Sequence, residues 1–212
     1  MHLLLTDRLI CPRCGPGFGL ILMADRLENR RVIEGSLGCP NCRDRYPIQA
    51  GTGDLRPPPR RVLETVSGLE PPASPSAVEV AALLGLAEGG GSVALFGAVA
   101  GHAPALAAMV PAVEWIGVAA ELRAWPPSEG VSQLLAGNPL PFSSASLRGV
   151  GLSVSRAPGE RAIAAELARV VASTGRIVLW GVVREFEEAL RSEGLDVLAS
   201  EESAVVLGRK AS

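Results

Sequence analysis

The sequence predicts an α/β chain: a small four-cysteine ribbon, then a mostly parallel sheet with helices on both faces and one antiparallel strand. Three observations carry that expectation. The four cysteines stand in two CxxC pairs within the first 42 residues. From Ser76 onward, apolar runs of strand length alternate with amphipathic runs of helix length. Charge divides along the same line. Residues 1–61 hold ten Arg against six acids (+4), and residues 62–212 hold ten basic and 16 acidic residues (−6), summing to the −2 of the whole chain.

A length of 212 residues suits one ordinary domain plus a small one. With 48% hydrophobic and 20% charged residues, the chain buries a core. No apolar run reaches the roughly 20 residues that cross a bilayer. The opening Met1–Arg8 breaks into charge too early for a signal peptide, so a cytoplasmic location is expected. Nineteen of the 20 basic residues are arginine, a bias that reads as genome composition rather than a binding role.

The ribbon comes first, over residues 1–55. Cys11-Pro12-Arg13-Cys14 and Cys39-Pro40-Asn41-Cys42 are separated by 24 residues. Each CxxC turn aims two thiolates at one point, and two turns supply a tetrahedral four-sulfur site. Proline fixes φ inside each turn, and Gly15 lets the chain bend under the metal. The β-favouring runs Phe18–Met23 and Val32–Leu37, parted by polar Asp25–Arg31, complete a zinc-ribbon hairpin. A dithiol redox pair needs a thioredoxin-like helix, which nothing here supplies; an iron–sulfur cluster is the other competitor. The expected ion is a structural Zn²⁺ held by Cys11, Cys14, Cys39 and Cys42. With no open position, catalysis at the metal is not expected, and a core this thin depends on metal to fold. Four thiolates and one Zn²⁺ bring the ribbon to about +2, which weakens an electrostatic nucleic-acid role.

"LLLTDRLICPRC" before the first knuckle and "LGCPNCRDRYPIQAG" around the second resemble the small zinc-binding activator subunits of methyltransferases. The likeness covers residues 3–55 and includes Tyr46-Pro47-Ile48 and Gly51. The usual Gly-Ile-Pro becomes Gly51-Thr52-Gly53, and the usual Leu-Leu-Pro becomes Leu55-Arg56-Pro57. The resemblance implies a module that pairs with a methyltransferase by lying against its sheet.

Residues 56–75 form a Pro-rich linker, with Val62–Val66 as its one short helical stretch. Arg56, Arg60 and Arg61 beside prolines read as solvated rather than as a phosphate site.

The domain over residues 76–212 is then read in order. Ser76 with Glu79 makes a capping box for a helix through Leu86, ended by Gly89–Gly91. Strands follow at Ser92–Phe96, Val113–Val118, Val131–Leu135, Leu147–Leu152 and Ile177–Trp180. Helices are expected at Ala103–Met109, at Gly159–Ala172 (terminated by Gly175) and at Arg184–Ser192. Leu195–Ala199 and Ala204–Gly208 close the sheet.

Three segments resemble class I S-adenosylmethionine-dependent methyltransferases: "SVALFGAVAG", "NPLPFSSASLRGV" and "ELARVVASTGRIVLWG". The resemblance implies a Rossmann-like methyltransferase fold whose cofactor is held by Gly97, Gly101, Glu121, Leu140 and Phe142, if it binds at all. The family's acids fall on Leu95, Ala119, Asn138 and Arg148, and its middle glycine on Val99, whose branched side chain intrudes on a cofactor. Each lost contact costs about 1–3 kcal/mol, so binding falls by orders of magnitude. No other catalytic set is visible. His102 reads as a cap or surface residue, and Ser143, Ser144 and Ser146 have no His or Cys partner in sequence. Trp115, Trp125 and Trp180 read as core or interface anchors, and Gly89–Gly91 precedes its strand, so it is no phosphate loop.

The reading is a non-catalytic, zinc-binding accessory or scaffold protein built on a pseudo-methyltransferase, with no catalytic residues, acting through protein partners. Two alternatives stay open: a divergent S-adenosylmethionine-dependent methyltransferase, and an RNA-binding accessory protein using the Arg-rich N-terminal half.

Overall fold

The computed structural model describes residues 1–60, 75–86, 89–119, 126–154, 160–181, 184–201 and 203–209, the side chains of 160–162 excepted. The expectations at Arg61, Val62–Val66, Glu121, Trp125 and Gly159 lie outside these residues.

The ribbon opens with a 3-10 turn, Leu3–Arg8, and strands β1 (Ile10–Cys11) and β2 (Gly15–Gly19). Strands β3 (Ile21–Glu28), β4 (Arg31–Gly38), β5 (Arg45–Gln49) and β6 (Thr52–Asp54) follow. The turn between β3 and β4 is tighter than Asp25–Arg31. Asn29 and Arg30, at φ 45° and 61°, close it with two residues, the geometry that matches strand twist in a hairpin.

In the second part, α1 (Ala77–Leu83) starts on the expected capping box, with Ser76 and Glu79 bonded reciprocally. It ends at Gly85 (φ 69°), earlier than Gly89–Gly91, and the Arg176 guanidinium packs against that glycine. Next come β7 (Gly91–Phe96), α2 (Ala103–Met109), β8 (Val113–Val118), β9 (Val131–Leu135) and β10 (Leu147–Val154). Helix α3 (Glu160–Val170) runs straight into β11 (Val171–Gly181), so Gly175 sits in the strand and does not end the helix. There the register with β10 slips, and a Cβ on Gly175 would lie 2.8 Å from the carbonyl of Arg148. Helix α4 (Arg184–Ser192), β12 (Asp196–Ser200) and β13 (Ala204–Gly208) complete the chain.

Among the described residues, one sheet holds 11 strands in the order β12-β13-β11-β10-β7-β8-β9-β6-β5-β4-β3. Strands β7 to β11 are parallel, and β13 is the antiparallel strand expected near the end. Alternation along β7 divides the core. Val93 and Leu95 face α1 and α2, while Ala94 and Phe96 face α3, α4 and the ribbon's apolar side. Trp115 and Trp180 are core residues, as read. The ribbon is therefore not an appendage. Its last strand, β6, adds in parallel to the β9 edge, pairing Thr52, Gly53 and Asp54 with Gln133, Leu134 and Leu135.

Candidate metal centre and cofactor crevice

Strand β1 ends in Cys11, the following turn carries Cys14, and the turn after β4 carries Cys39 and Cys42. The four Sγ atoms lie within 4.8 Å of one another. Cys11 to Cys42 is 3.7 Å and Cys14 to Cys39 is 3.8 Å. A tetrahedron with metal–sulfur bonds of about 2.3 Å has edges of about 3.8 Å, so the residues fit a metal ion. Positive φ at Gly15 (83°) and Arg43 (63°) turns the chain under each pair. The Cys14 N–H donates to Cys11 Sγ (3.4 Å) and Asn41 Nδ2 to Cys14 Sγ (3.3 Å). The buried Tyr46 hydroxyl lies 3.4 Å from Cys11 Sγ. Burial first, then the Cys11 contact, pushes the Tyr46 phenol well above its ordinary range. Such a set can pin two turns together; it has no free position for a reacting ligand.

The centre stands beside a seam with two lines of backbone bonding. Strand β6 on β9 is one. On the other, the Ile10 N–H donates to the Pro141 carbonyl (3.0 Å) and the Ser143 N–H to the Arg8 carbonyl (2.8 Å). Helix α3 grips the same 140–142 segment from its far side. Arg169 donates to the carbonyls of Leu140 (3.0 Å) and Phe142 (2.7 Å), and Glu166 accepts from the Leu140 N–H (2.8 Å). The Arg169 guanidinium on Glu166 holds that carboxyl below its ordinary value, aided by the Leu140 N–H and opposed by burial. Leu140 and Phe142 thus pack in the core with Leu9 and Cys11.

Charged groups cross the seam too. Arg31 of β4 meets both oxygens of Glu114 of β8 at 3.0 Å and donates to the Val131 carbonyl at 2.7 Å. Ser132 donates to Glu114 and accepts from the His2 N–H. Thr52 donates to Gln133 (2.8 Å). A cleft of about 580 Å³ opens beside this network, lined by His2, Asp7, Arg8, Ser92, Glu114 and Ser146. It lies at the N-terminal ends of β7 and β8.

Rossmann-type ligands bind at the other end, where strand order reverses between β7 and β10. There the chain folds back on itself. After Phe96, residues Gly97–His102 form a 3-10 turn in which Val99, Ala100, Gly101 and His102 are buried. The Val99 N–H donates to Ser153 Oγ of β10 (2.9 Å), and its side chain joins the core of Leu95 and Trp115. Gly97 takes φ 68° with the Ser153 carbonyl 3.3 Å from where a Cβ would be. His102 is not a surface residue, although it stands at the N-cap position of α2. It is buried without a side-chain cap bond, burial lowers its pKa, and its Nε2 has no partner among the described residues. At the family's acid positions, Leu95 is core, Asn138 is exposed and Arg148 caps the carbonyls of Gly89 and Gly90 (2.9 and 3.1 Å).

The four cysteines meet as the spacing requires. Of the cofactor candidates, Gly97 and Gly101 stand at the crevice, Leu140 and Phe142 at the seam, and Glu121 outside the described residues. Sequence reading missed Arg31, Glu114 and the Glu166–Arg169 pair. Only the last left a local trace, as an i, i+3 pair inside "ELARVV".

No family model matches the chain, and no curated protein matches it. Solved structures do. One is a chain of the complex between the Haloferax volcanii Trm112 methyltransferase activator and a protein described as a methyltransferase. It is 19% identical with a TM-score of 0.50, over 60% of this chain and 70% of that one. That likeness is one of fold. The chain has a Rossmann-like methyltransferase fold. A precorrin-6y C5,15-methyltransferase from Geobacter metallireducens is 15% identical (TM-score 0.48, over 62% of this chain and 84% of that one). A TehB-like S-adenosylmethionine-dependent methyltransferase from Corynebacterium glutamicum is 14% identical (TM-score 0.46, over 63% and 86%). Among the described residues, no helix is long and apolar enough to cross a membrane.

Proposed function

We propose that this chain is a zinc-binding, non-catalytic accessory protein: a pseudo-methyltransferase whose ribbon docks on its own sheet and which acts through a protein partner. The observation that carries the reading is the crevice. Backbone that a cofactor needs to approach is bonded to Ser153, and Val99 fills the space beside it. Leu95, Ala119 and Asn138 offer no carboxylate to ribose or amine. These residues do not fit S-adenosylmethionine. The metal centre, by contrast, has a complete donor set of the kind that holds structural zinc. The edge of β9 is already filled by β6, so a partner engages another surface of this chain.

A divergent methyltransferase is the second reading, favoured by one observation: the strand order from β7 onward is that of the methyltransferase fold. Fold alone does not license activity. Incubating the zinc-loaded full chain with tritiated-methyl S-adenosylmethionine and extract of its native cells separates the two. The accessory reading expects no label transfer above a chain-free control. Transfer that depends on the chain overturns it.

A further inference from the structure

Among the described residues, the metal centre has one side-chain hydrogen-bond donor that comes from neither CxxC turn. Tyr46 lies on β5, fully buried, with its hydroxyl 3.4 Å from Cys11 Sγ. Once a metal binds, Cys11 is a thiolate and only accepts, so the phenol must donate. Cys11 then receives two bonds, from the Cys14 N–H and from Tyr46. Above the ring, the Arg60 guanidinium stands 5.0 Å from its centroid. Arg60 is itself held by a bond to the Arg45 carbonyl (2.9 Å). A cation over a phenol draws electron density from the ring and makes its O–H a stronger donor.

We propose that Tyr46 is a positioning residue of the metal centre: it donates a hydrogen bond to the metal-bound Cys11 thiolate, with Arg60 on its ring fixing the phenol and polarising it. The bond spreads the charge of the least exposed ligand and lowers the energy of its sulfur lone pairs. It also joins the start of the linker to the metal through one buried ring. Partners of this kind tune both affinity and ligand electronics. The inference rests on the reading that the four cysteines hold a metal.

Tyr46 is the only tyrosine in the chain, which makes the test clean. The full-length protein is loaded with Co²⁺, whose thiolate-to-metal charge-transfer bands report the energy of the sulfur lone pairs. Removing the donor with Tyr46→Phe shifts these bands to lower energy and weakens metal affinity about 10-fold against a competing chelator. Uniform 3-fluorotyrosine labelling changes position 46 alone, makes the phenol more acidic, and shifts the bands to higher energy without removing the ring. Arg60→Ala shifts them to lower energy by less than Tyr46→Phe. A purely packing role for Tyr46 moves no band on fluorination. Bands present in the unsubstituted protein but unmoved by fluorination, or moved to lower energy, overturn the proposal alone. No charge-transfer bands in the unsubstituted protein overturn the metal reading and this proposal with it.

Discussion

The sheet meets something other than its own helices at two places, the β9 edge and the β7–β10 crevice, and the two are built in opposite ways. At the edge, charged groups of both parts are paired, although the buried Gln133 Nε2 has no partner among the described residues. Arg31 and Glu114 sit 83 residues apart and close a two-pronged ion pair backed by Ser132 and the Val131 carbonyl. At the crevice, apolar side chains of the Gly97–His102 turn join the core, and His102 Nε2 is likewise without a partner among the described residues. A buried charge is tolerated only when paired, so such groups survive where they set register and disappear where they do not. The comparison teaches that this chain has kept its specific chemistry where the ribbon joins the sheet. At the crevice, the described residues of the turn after β7 are held by core packing and by Ser153 instead.

The comparison breaks most visibly at the metal. Chelation removes a crosslink worth about 10 kcal/mol or more in small zinc modules. Because β6 belongs to the common sheet, the expected outcome is a lower melting temperature for the whole chain by circular dichroism, not for the ribbon alone. An unchanged melt after verified metal removal contradicts this. Next comes the ion pair. Arg31→Ala leaves the partly buried Glu114 with only Ser132 and removes the bond to the Val131 carbonyl, and should lose about 1–3 kcal/mol in urea unfolding. Replacing both, Arg31→Met with Glu114→Leu, should recover most of that loss, and a single-variant loss below about 1 kcal/mol would show that the pair does not hold the seam.

At the crevice, Val99→Gly is expected to cost about 2–3 kcal/mol through lost burial and added chain freedom. It should still not bind S-adenosylmethionine, because the missing carboxylates are not restored. A neutral or stabilising effect would mean that the turn is not packed as described. The smallest effect is a pH dependence at the seam. Glu166 has its folded pKa lowered from the ordinary 4.5, chiefly by Arg169. Its contribution is therefore complete above pH 4.5 and lost as pH falls through the lower folded value. Glu166→Gln should remove about 1 kcal/mol at neutral pH and flatten the acid limb of the stability curve. An acid limb identical to that of the unsubstituted protein would rule out Glu166 as its source.

Much of this was legible in the residues, and the part that was not has a physical cause. CxxC spacing determined the metal centre because a tetrahedral site admits few arrangements of two short turns. Val113–Val118, Val131–Leu135 and Arg184–Ser192 were read to the residue, since apolar periodicity is a local property. Val99 and Leu95, read as departures from a cofactor site, are buried core residues. The seam was not legible. Gly51-Thr52-Gly53 looked like an eroded motif, yet Gly51 takes φ 79° against Pro127, and a Cβ on Gly53 would press Leu134 at 3.0 Å. Its fitness as a docking strand depends on a surface about 80 positions further along the chain. Leu140 and Phe142 looked like cofactor lining for the same reason: only the fold reveals that Leu9 and Ile10 reach them first. Gly175 misled because a glycine at a strand bulge and one at a helix end look alike in sequence.

The central claim is that the crevice no longer takes a cofactor. Isothermal titration of the zinc-loaded full chain with S-adenosylmethionine tests it most directly. The account predicts no binding heat at cofactor concentrations up to the millimolar range, and a saturable isotherm with a micromolar Kd would contradict it.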